Sequence, residues 1–168
     1  QADRNEMRGN TCHRNGICIL LQRGKGNVIA RNHVGGGGDG IGVENGKDNV
    51  VSRNVVVNVD GRGINLGISQ PPIGGASNVL RRNIVKSSGG DAFQVNVKDN
   101  HSVLIHNIAR QAGDDGFDVR SDSARIVNNR AFGNADLGID AALGVIDGGG
   151  NVARFNGDPR QCVNIACK

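Results

Sequence analysis

Apolar residues occur along this chain in short alternating bursts, parted by Gly, Asn and Asp, and the bursts themselves recur. One inward position reads Met7, Ile29, Val51, Leu80, Leu104, Ile126 and Ala153. A second reads Cys12, Val34, Val56, Val85, Ala109, Ala131 and Asp158, apolar in six of seven copies. A third stretch holds Ile17, Ile41, Ile64, Phe93, Phe117, Ile139 and Val163, followed two residues later by Ile19, Val43, Leu66, Val95, Val119, Ala141 and Ile165. Alternation with a period of two marks strands with one buried face. The polar residues keep the same beat. Units start at Asn5, Asn27, Asn49, Asn78, Ser102, Ala124 and Asn151, giving steps of 22, 22, 29, 24, 22 and 27 residues. A second asparagine follows five positions after each start, at Asn10, Asn32, Asn54, Asn83, Asn107, Asn129 and Asn156.

Three strands in so short a unit leave only a few residues per turn and no room for crossover helices. The pattern predicts an all-β fold, a single-stranded right-handed parallel β-helix with three sheets and about seven coils of roughly 22 residues. Each strand then pairs with its copy one coil away, ~4.8 Å above or below, and seven coils make a rod of roughly 35 Å. A two-sheet β-solenoid is the competing arrangement. An amide at the same corner of every coil can hydrogen-bond its copies, forming an internal Asn ladder. Asparagine also tolerates the left-handed backbone of sharp turns. The longer steps place inserts at 67–76, containing Ser69-Gln70-Pro71-Pro72, and at 142–150, both just after the third strand. Residues 1–168 read as one domain with a C-terminal cap at about 151–168.

Composition narrows the choice. Twenty-seven Gly, no Trp, no Tyr and four Phe cannot build an aromatic-centred core, yet 37% apolar content is too high and too evenly spaced for a disordered polymer. No apolar run is long enough for a membrane span. No secretion signal opens the chain, so any such signal has been removed or lies upstream. Cys12 and Cys18 lie across one turn of the first coil and suit either a bridge or, for Cys12, the core. Cys162 and Cys167 can close the open end of the solenoid. Neither pair has metal-binding spacing, so an oxidising, extracytoplasmic location is expected, and the protein is read as secreted.

Charge falls into two columns. The residue before each second-ladder asparagine is Gly9, Arg31, Arg53, Arg82, His106, Asn128 and Phe155, so Arg31, Arg53, Arg82 and His106 stack on one outer corner. Like charges at coil spacing repel, which favours an anionic partner there. A polyuronate matches; nucleic acid is disfavoured because no stacking platform of Trp, Tyr or abundant Phe exists. Acidic residues gather instead at the third strand. Asp39, Asp91, Asp114 and Asp115 precede it, and its outward row reads Cys18, Gly42, Asn65, Gln94, Asp118, Asp140 and Asn164, with Asn96 and Arg120 two positions beyond Gln94 and Asp118. Coils three to six thus present Asn65, Gln94, Asn96, Asp118, Arg120 and Asp140 as a polar groove. Asp118 and Asp140, on adjacent coils, form a candidate metal pair whose all-oxygen chemistry suits Ca²⁺. No cofactor is otherwise required.

Units such as Asn49-Val50-Val51-Ser52-Arg53-Asn54 and Asp115-Gly116-Phe117-Asp118-Val119 resemble the repeats of the pectin-lyase-like superfamily of right-handed β-helices. More narrowly, the chain is similar over its whole length to bacterial parallel β-helix repeat proteins grouped with carbohydrate-binding proteins and sugar hydrolases. The resemblance implies a polysaccharide-directed protein and leaves its reaction open. The run from Gly113 to Ser121 is similar to the paired-aspartate segment of polygalacturonases, with Asp91 in the matching place one coil earlier. That resemblance implies Asp91, Asp114 and Asp115 as acid and base of a hydrolysis. The family's Gly-His-Gly is replaced here by Asp136-Leu137-Gly138, and its downstream Arg-x-Lys is missing. Asp-Gly is also ordinary turn chemistry, as at Asp39-Gly40. For a lyase or epimerase, Arg120 would neutralise a substrate carboxylate, with Asp118 or a cation nearby and Lys98, His101 or His106 as base. The tyrosine many such enzymes use does not exist in this chain. Two readings therefore stand. One is a secreted β-helix that binds or processes an acidic, uronate-type glycan in the groove. The other is a non-catalytic structural, adhesion or binding module. A monomer is expected.

Overall fold

The computed structural model describes residues 3–67 and 75–168. The chain winds as an all-β, right-handed parallel solenoid of about seven turns, with no helix among the described residues. The first strand column stacks Glu6–Arg8, Val28–Ala30, Val50–Ser52, Val79–Arg81, Val103–Ile105, Arg125–Val127 and Ile146–Asp147, all parallel. In the first two coils the second and third strands are continuous, as Thr11–Gln22 and His33–Glu44. From the third coil they separate into Val55–Val59 and Ile64–Leu66, Ile84–Ser88 and Phe93–Val95, and so on to Val152–Arg154 and Cys162–Val163. Of the inserted segment at 67–76, residues 68–74, including Ser69-Gln70-Pro71-Pro72, lie outside the described residues.

The core is the set of inward rows. Ile29, Val51, Leu80, Leu104 and Ile126 face Val34, Val56, Val85, Ala109 and Ala131 across the coil, with Ile41, Ile64, Phe93, Phe117 and Ile139 on the third side, all buried. Phe93 and Phe117 stack at 4.7 Å with rings 6° from parallel. Where the third row enlarges to these rings, the second shrinks from Val85 to Ala109 and Ala131, keeping the cross-section filled. The amides stack as expected. Asn32 N and Nδ2 donate to Asn54 Oδ1 (both 2.9 Å), Asn54 to Asn83 (both 3.0 Å), Asn83 to Asn107 (both 3.0 Å) and Asn107 to Asn129 (2.8 and 3.0 Å). The first ladder runs from Asn5 through Asn27 and Asn49 to Asn78, then gives way to Ser102 and Asp99.

Four expectations need correction. The ladder asparagines are not left-handed; the residue before each is, with φ of 56° at Arg31, Arg53, Arg82 and His106 and 51° at Asn128. The last coil is misaligned by one strand. Asn129 N donates to Asn151 Oδ1, Val152–Arg154 pairs with Arg130–Phe132, and Asn156 receives Asn134 in a further corner ladder. Ile146–Asp147 supplies the first-column strand, so 142–150 contains no insert and Gly150, not Phe155, heads the Arg31 corner. In the first coil one unbroken register runs from the Thr11–His33 pair to the Gln22–Glu44 pair, so Ile19 rather than Ile17 meets Ile41, and Leu20 rather than Cys18 faces outward beside Gly42. In the last, Cys162 pairs with Ile139 and Val163 with Asp140, removing Asn164 from the outward row.

Both predicted cysteine pairs are bonded, Cys12 to Cys18 and Cys162 to Cys167. At the C-terminal end Gln161 Oε1 accepts from Asn156 N and Nδ2 (3.0 and 2.9 Å), and Asp147 accepts from Gly149 N and Ala166 N (2.8 and 2.9 Å). These groups supply acceptors that a next coil would have offered.

Candidate functional site

The third column builds the groove. Strict parallel register aligns Gly42, Asn65, Gln94, Asp118 and Asp140 in one outward row. From the third coil to the sixth each strand here is three residues long with its two flanking positions turned into the core, so one side chain per coil points out. Asn65, Gln94 and Asp118 are nonetheless buried by their neighbours and form the floor, while Arg120 is exposed and Asp140 half-exposed. Asn96 Nδ2 donates to Asn65 Oδ1 (3.1 Å) and to Gly67 O, bridging the third and fourth coils. The buried Asn65 Nδ2 group has no hydrogen-bond partner among the described residues.

Gln94 organises the middle of the row. Its Oε1 accepts from Arg62 Nη1 (3.0 Å), which forces its Nε2 toward the acids, where it donates to Asp91 Oδ2 (2.9 Å) and Asp118 Oδ2 (3.1 Å). Arg62 also pairs with Asp39 at 2.8 Å, and Arg120 pairs with Asp118 at 2.6 Å. Arg62 escaped the sequence reading. Its signal was a lone cation in a corner row otherwise marked by Asp39, Asp91 and Asp115.

That corner row explains the aspartates structurally. Asp39 Oδ1 accepts from Arg62 N (2.7 Å), Asp91 Oδ1 from Asp115 N (3.2 Å) and Asp115 Oδ1 from Leu137 N (2.8 Å). Each carboxylate thus spends one oxygen holding the backbone of the next coil, as the amides do at the other corners. The following glycines are not turn residues, for Gly40 and Gly116 have no positive φ. A Cβ at Gly116 would come within 2.9 Å of the Ala131 Cβ, and one at Gly40 within 2.7 Å of Val56 Cγ1. Asp-Gly here records close packing of the third strand on the second.

One carboxylate oxygen each of Asp91, Asp114 and Asp115 lies within 4.8 Å of the others. Burial, then the neighbouring Asp118 charge, pushes the Asp91 carboxyl up to about 6. Burial pushes Asp115 up to about 7, with Asp114 and Asp91 adding to the shift and the Leu137 N–H opposing it. Asp140 is raised by burial and by Asp118. Burial thus disfavours the charged forms of Asp91 and Asp115, and a cation close to both carboxylates would offset that cost. Oxygens on one Ca²⁺ at ~2.4 Å lie no more than about 5 Å apart, a limit the trio meets. Asp118, expected from spacing to share a metal with Asp140, is ion-paired with Arg120, whereas Asp91, Asp114 and Asp115 have no ion pair among the described residues.

The remaining expected binding residues lie elsewhere. Arg31, Arg53 and Arg82 line a cleft on the first column, and His106 lines a separate depression with Asn128 and Arg130. The candidate residues thus fall on two surfaces. The family described as a right handed beta helix region matches residues 1–92, more than half of the chain. Residues 93–168 continue the same stacking, and the groove spans the boundary. No curated protein matches the sequence.

Proposed function

This chain belongs to the right-handed β-helix family, and from that premise we propose that it is an extracellular protein that binds an acidic glycan along the third-column groove. The trio of Asp91, Asp114 and Asp115 carries this reading, because it places a cation-holding group at the edge of a rigid polar row. A groove with Asp39, Asp91, Asp114, Asp115, Asp118 and Asp140 against Arg62 and Arg120 repels a uronate unless a cation intervenes. Ca²⁺ shared between the trio and a sugar carboxylate removes that repulsion, and Arg120, exposed beside Asp140, pairs with a second sugar carboxylate. Asn96, half-buried above the Asn65 and Gln94 floor, offers its amide oxygen to a sugar hydroxyl. Two disulfides are compatible with an extracellular location, and no helix is long and apolar enough to cross a membrane among the described residues.

Binding is favoured over turnover because Asp91 and Asp115 each hold a backbone N–H, as Asp39 does away from the trio. Inverting hydrolysis needs carboxyl groups roughly 6.5–9.5 Å apart to admit a water, and the closer oxygens of the trio suit a shared ion better. The test is gel retardation on polygalacturonate and alginate, with Ca²⁺ and with EDTA, alongside ultraviolet absorbance and reducing-end assays. Retardation should require Ca²⁺ and disappear in Asp91→Asn/Asp115→Asn while circular dichroism stays unchanged. Retardation indifferent to both EDTA and the double variant overturns the proposed site. New absorbance would make the protein a lyase, and reducing ends alone a hydrolase.

A further inference from the structure

The first column carries a cleft of about 180 Å³ that glycan binding in the groove leaves unused. Register places Arg8, Ala30, Ser52 and Arg81 on four successive coils in one outward row. Two small residues between two long ones make a trough two coils wide. Ala30 and Ser52 are buried although they belong to the outer face, so they form its floor. Arg31, Arg53 and Arg82 line the adjoining corner. Arg8 is paired with Glu6 at 2.6 Å, whereas Arg31, Arg53, Arg81 and Arg82 have no ion pair among the described residues.

We propose that this cleft is a second binding site, independent of the groove, for sulfate ester groups on a saccharide chain lying along the rod. Guanidinium groups stacked at coil spacing repel one another unless a polyanion spans them. They reach the trough from both ends and from one side. A carboxylate presents two coplanar oxygens that a single guanidinium fork satisfies, whereas a tetrahedral sulfate turns oxygens toward several forks at once. The rest of the lining is Val28 and Val50, an aliphatic surface suited to the face of a sugar ring. No aromatic residue lines the cleft, so a nucleic acid would find charge without a stacking surface. The acidic groove repels the same ligand, which keeps the two sites distinct.

Dextran sulfate binding to the intact chain, measured in EDTA so that Ca²⁺-dependent binding is silent, tests the proposal. Binding should weaken with salt. Arg53→Asn/Arg82→Asn, chosen because asparagine tolerates the left-handed backbone at both positions, should lose about tenfold or more in affinity. It should also flatten the salt slope by about two, one per contact removed. Arg53→Lys/Arg82→Lys should keep the slope yet bind several-fold more weakly, since lysine retains charge without the fork. Asp91→Asn/Asp115→Asn should bind as the parent does. No binding, or binding untouched by the Asn double variant, overturns the site. Polygalacturonate competing equally at matched charge overturns the choice of sulfate, and a single-stranded oligonucleotide competing better overturns the choice of saccharide.

Discussion

Asp99 marks the point where an amide ladder stops. It is fully buried, accepts from Ser102 Oγ and from Asn78 Nδ2 at 3.2 Å, and its carboxyl is pushed by burial up to about 6. Asp91 and Asp115 are likewise raised, to about 6 and about 7. In all three the folded pKa exceeds the unfolded value of about 3.9, so the native state binds more protons between roughly pH 4 and pH 7. Their stabilising contribution is complete below that window and is lost as pH rises through it. Thermal midpoints should therefore fall as pH is raised from about 4 to about 7. Asp99→Asn should raise the midpoint near pH 8, by on the order of 2 kcal/mol in stability, and flatten the profile. A flat or rising profile in the parent protein contradicts the assignment. Backbone strain is local in the same sense. His106 holds φ at 56°, where glycine is at ease and a β-branched residue is not. His106→Gly should be nearly neutral and His106→Val should cost about 1–2 kcal/mol by urea denaturation.

Elements in this molecule are held by neighbours one coil away, and the interior amides are the common link. Asn54 accepts two bonds from Asn32 and donates to Asn83 Oδ1 and to Ile29 O, all at 2.9–3.0 Å. Removing it strands buried donors and acceptors on two coils, because water cannot reach them. Asn54→Ala should cost on the order of 3 kcal/mol or more. Asn10→Ala, at the exposed first coil, should cost much less, and equal losses in chemical denaturation would refute a cooperative ladder. The stacked rings behave as a second such link. Phe117 has its partner Phe93 at 4.7 Å and is fully buried, so Phe117→Ala should lose about 3–5 kcal/mol through the cavity it opens.

A stack in which each coil touches only its neighbours is nearly one-dimensional, so its ends open before its middle. The C-terminal end is held by the Cys162–Cys167 bridge, by Gln161 over Asn156 and by Asp147. Closing so short a loop contributes about 2 kcal/mol through the entropy of the open chain. Cys162→Ser/Cys167→Ser should accelerate hydrogen exchange across 146–168 while amides of coils two to five stay protected. Global acceleration would show the cap to be integral to the whole rod. The same geometry gives the molecule two unconnected charged faces, an acidic groove on the third column and a basic cleft on the first, because three columns of one winding cannot share a surface.

From coil two to coil six, the repeat period alone was enough to assign the strands, the inward rows, the amide ladder and the outward row of Asn65, Gln94, Asp118 and Asp140. Residues one period apart must meet in a solenoid, so linear spacing already encodes contact. The ends were less legible. Asn151 stacks on Asn129 because hydrogen-bond stacking overrides the resemblance of Asn151-Val152-Ala153 to a unit start, and Ile19 stacks on Ile41 because the first two coils keep one unbroken register that sets Ile17 against Asp39. The resemblance to polygalacturonases already groups Asp91, Asp114 and Asp115, but only the tertiary structure set one oxygen of each within 4.8 Å of the others, brought Arg62 and Gln94 to the acids and separated the arginine cleft from the groove. The period specifies which side chains share a row, while packing and burial decide which atoms within and between rows meet and what charge they carry.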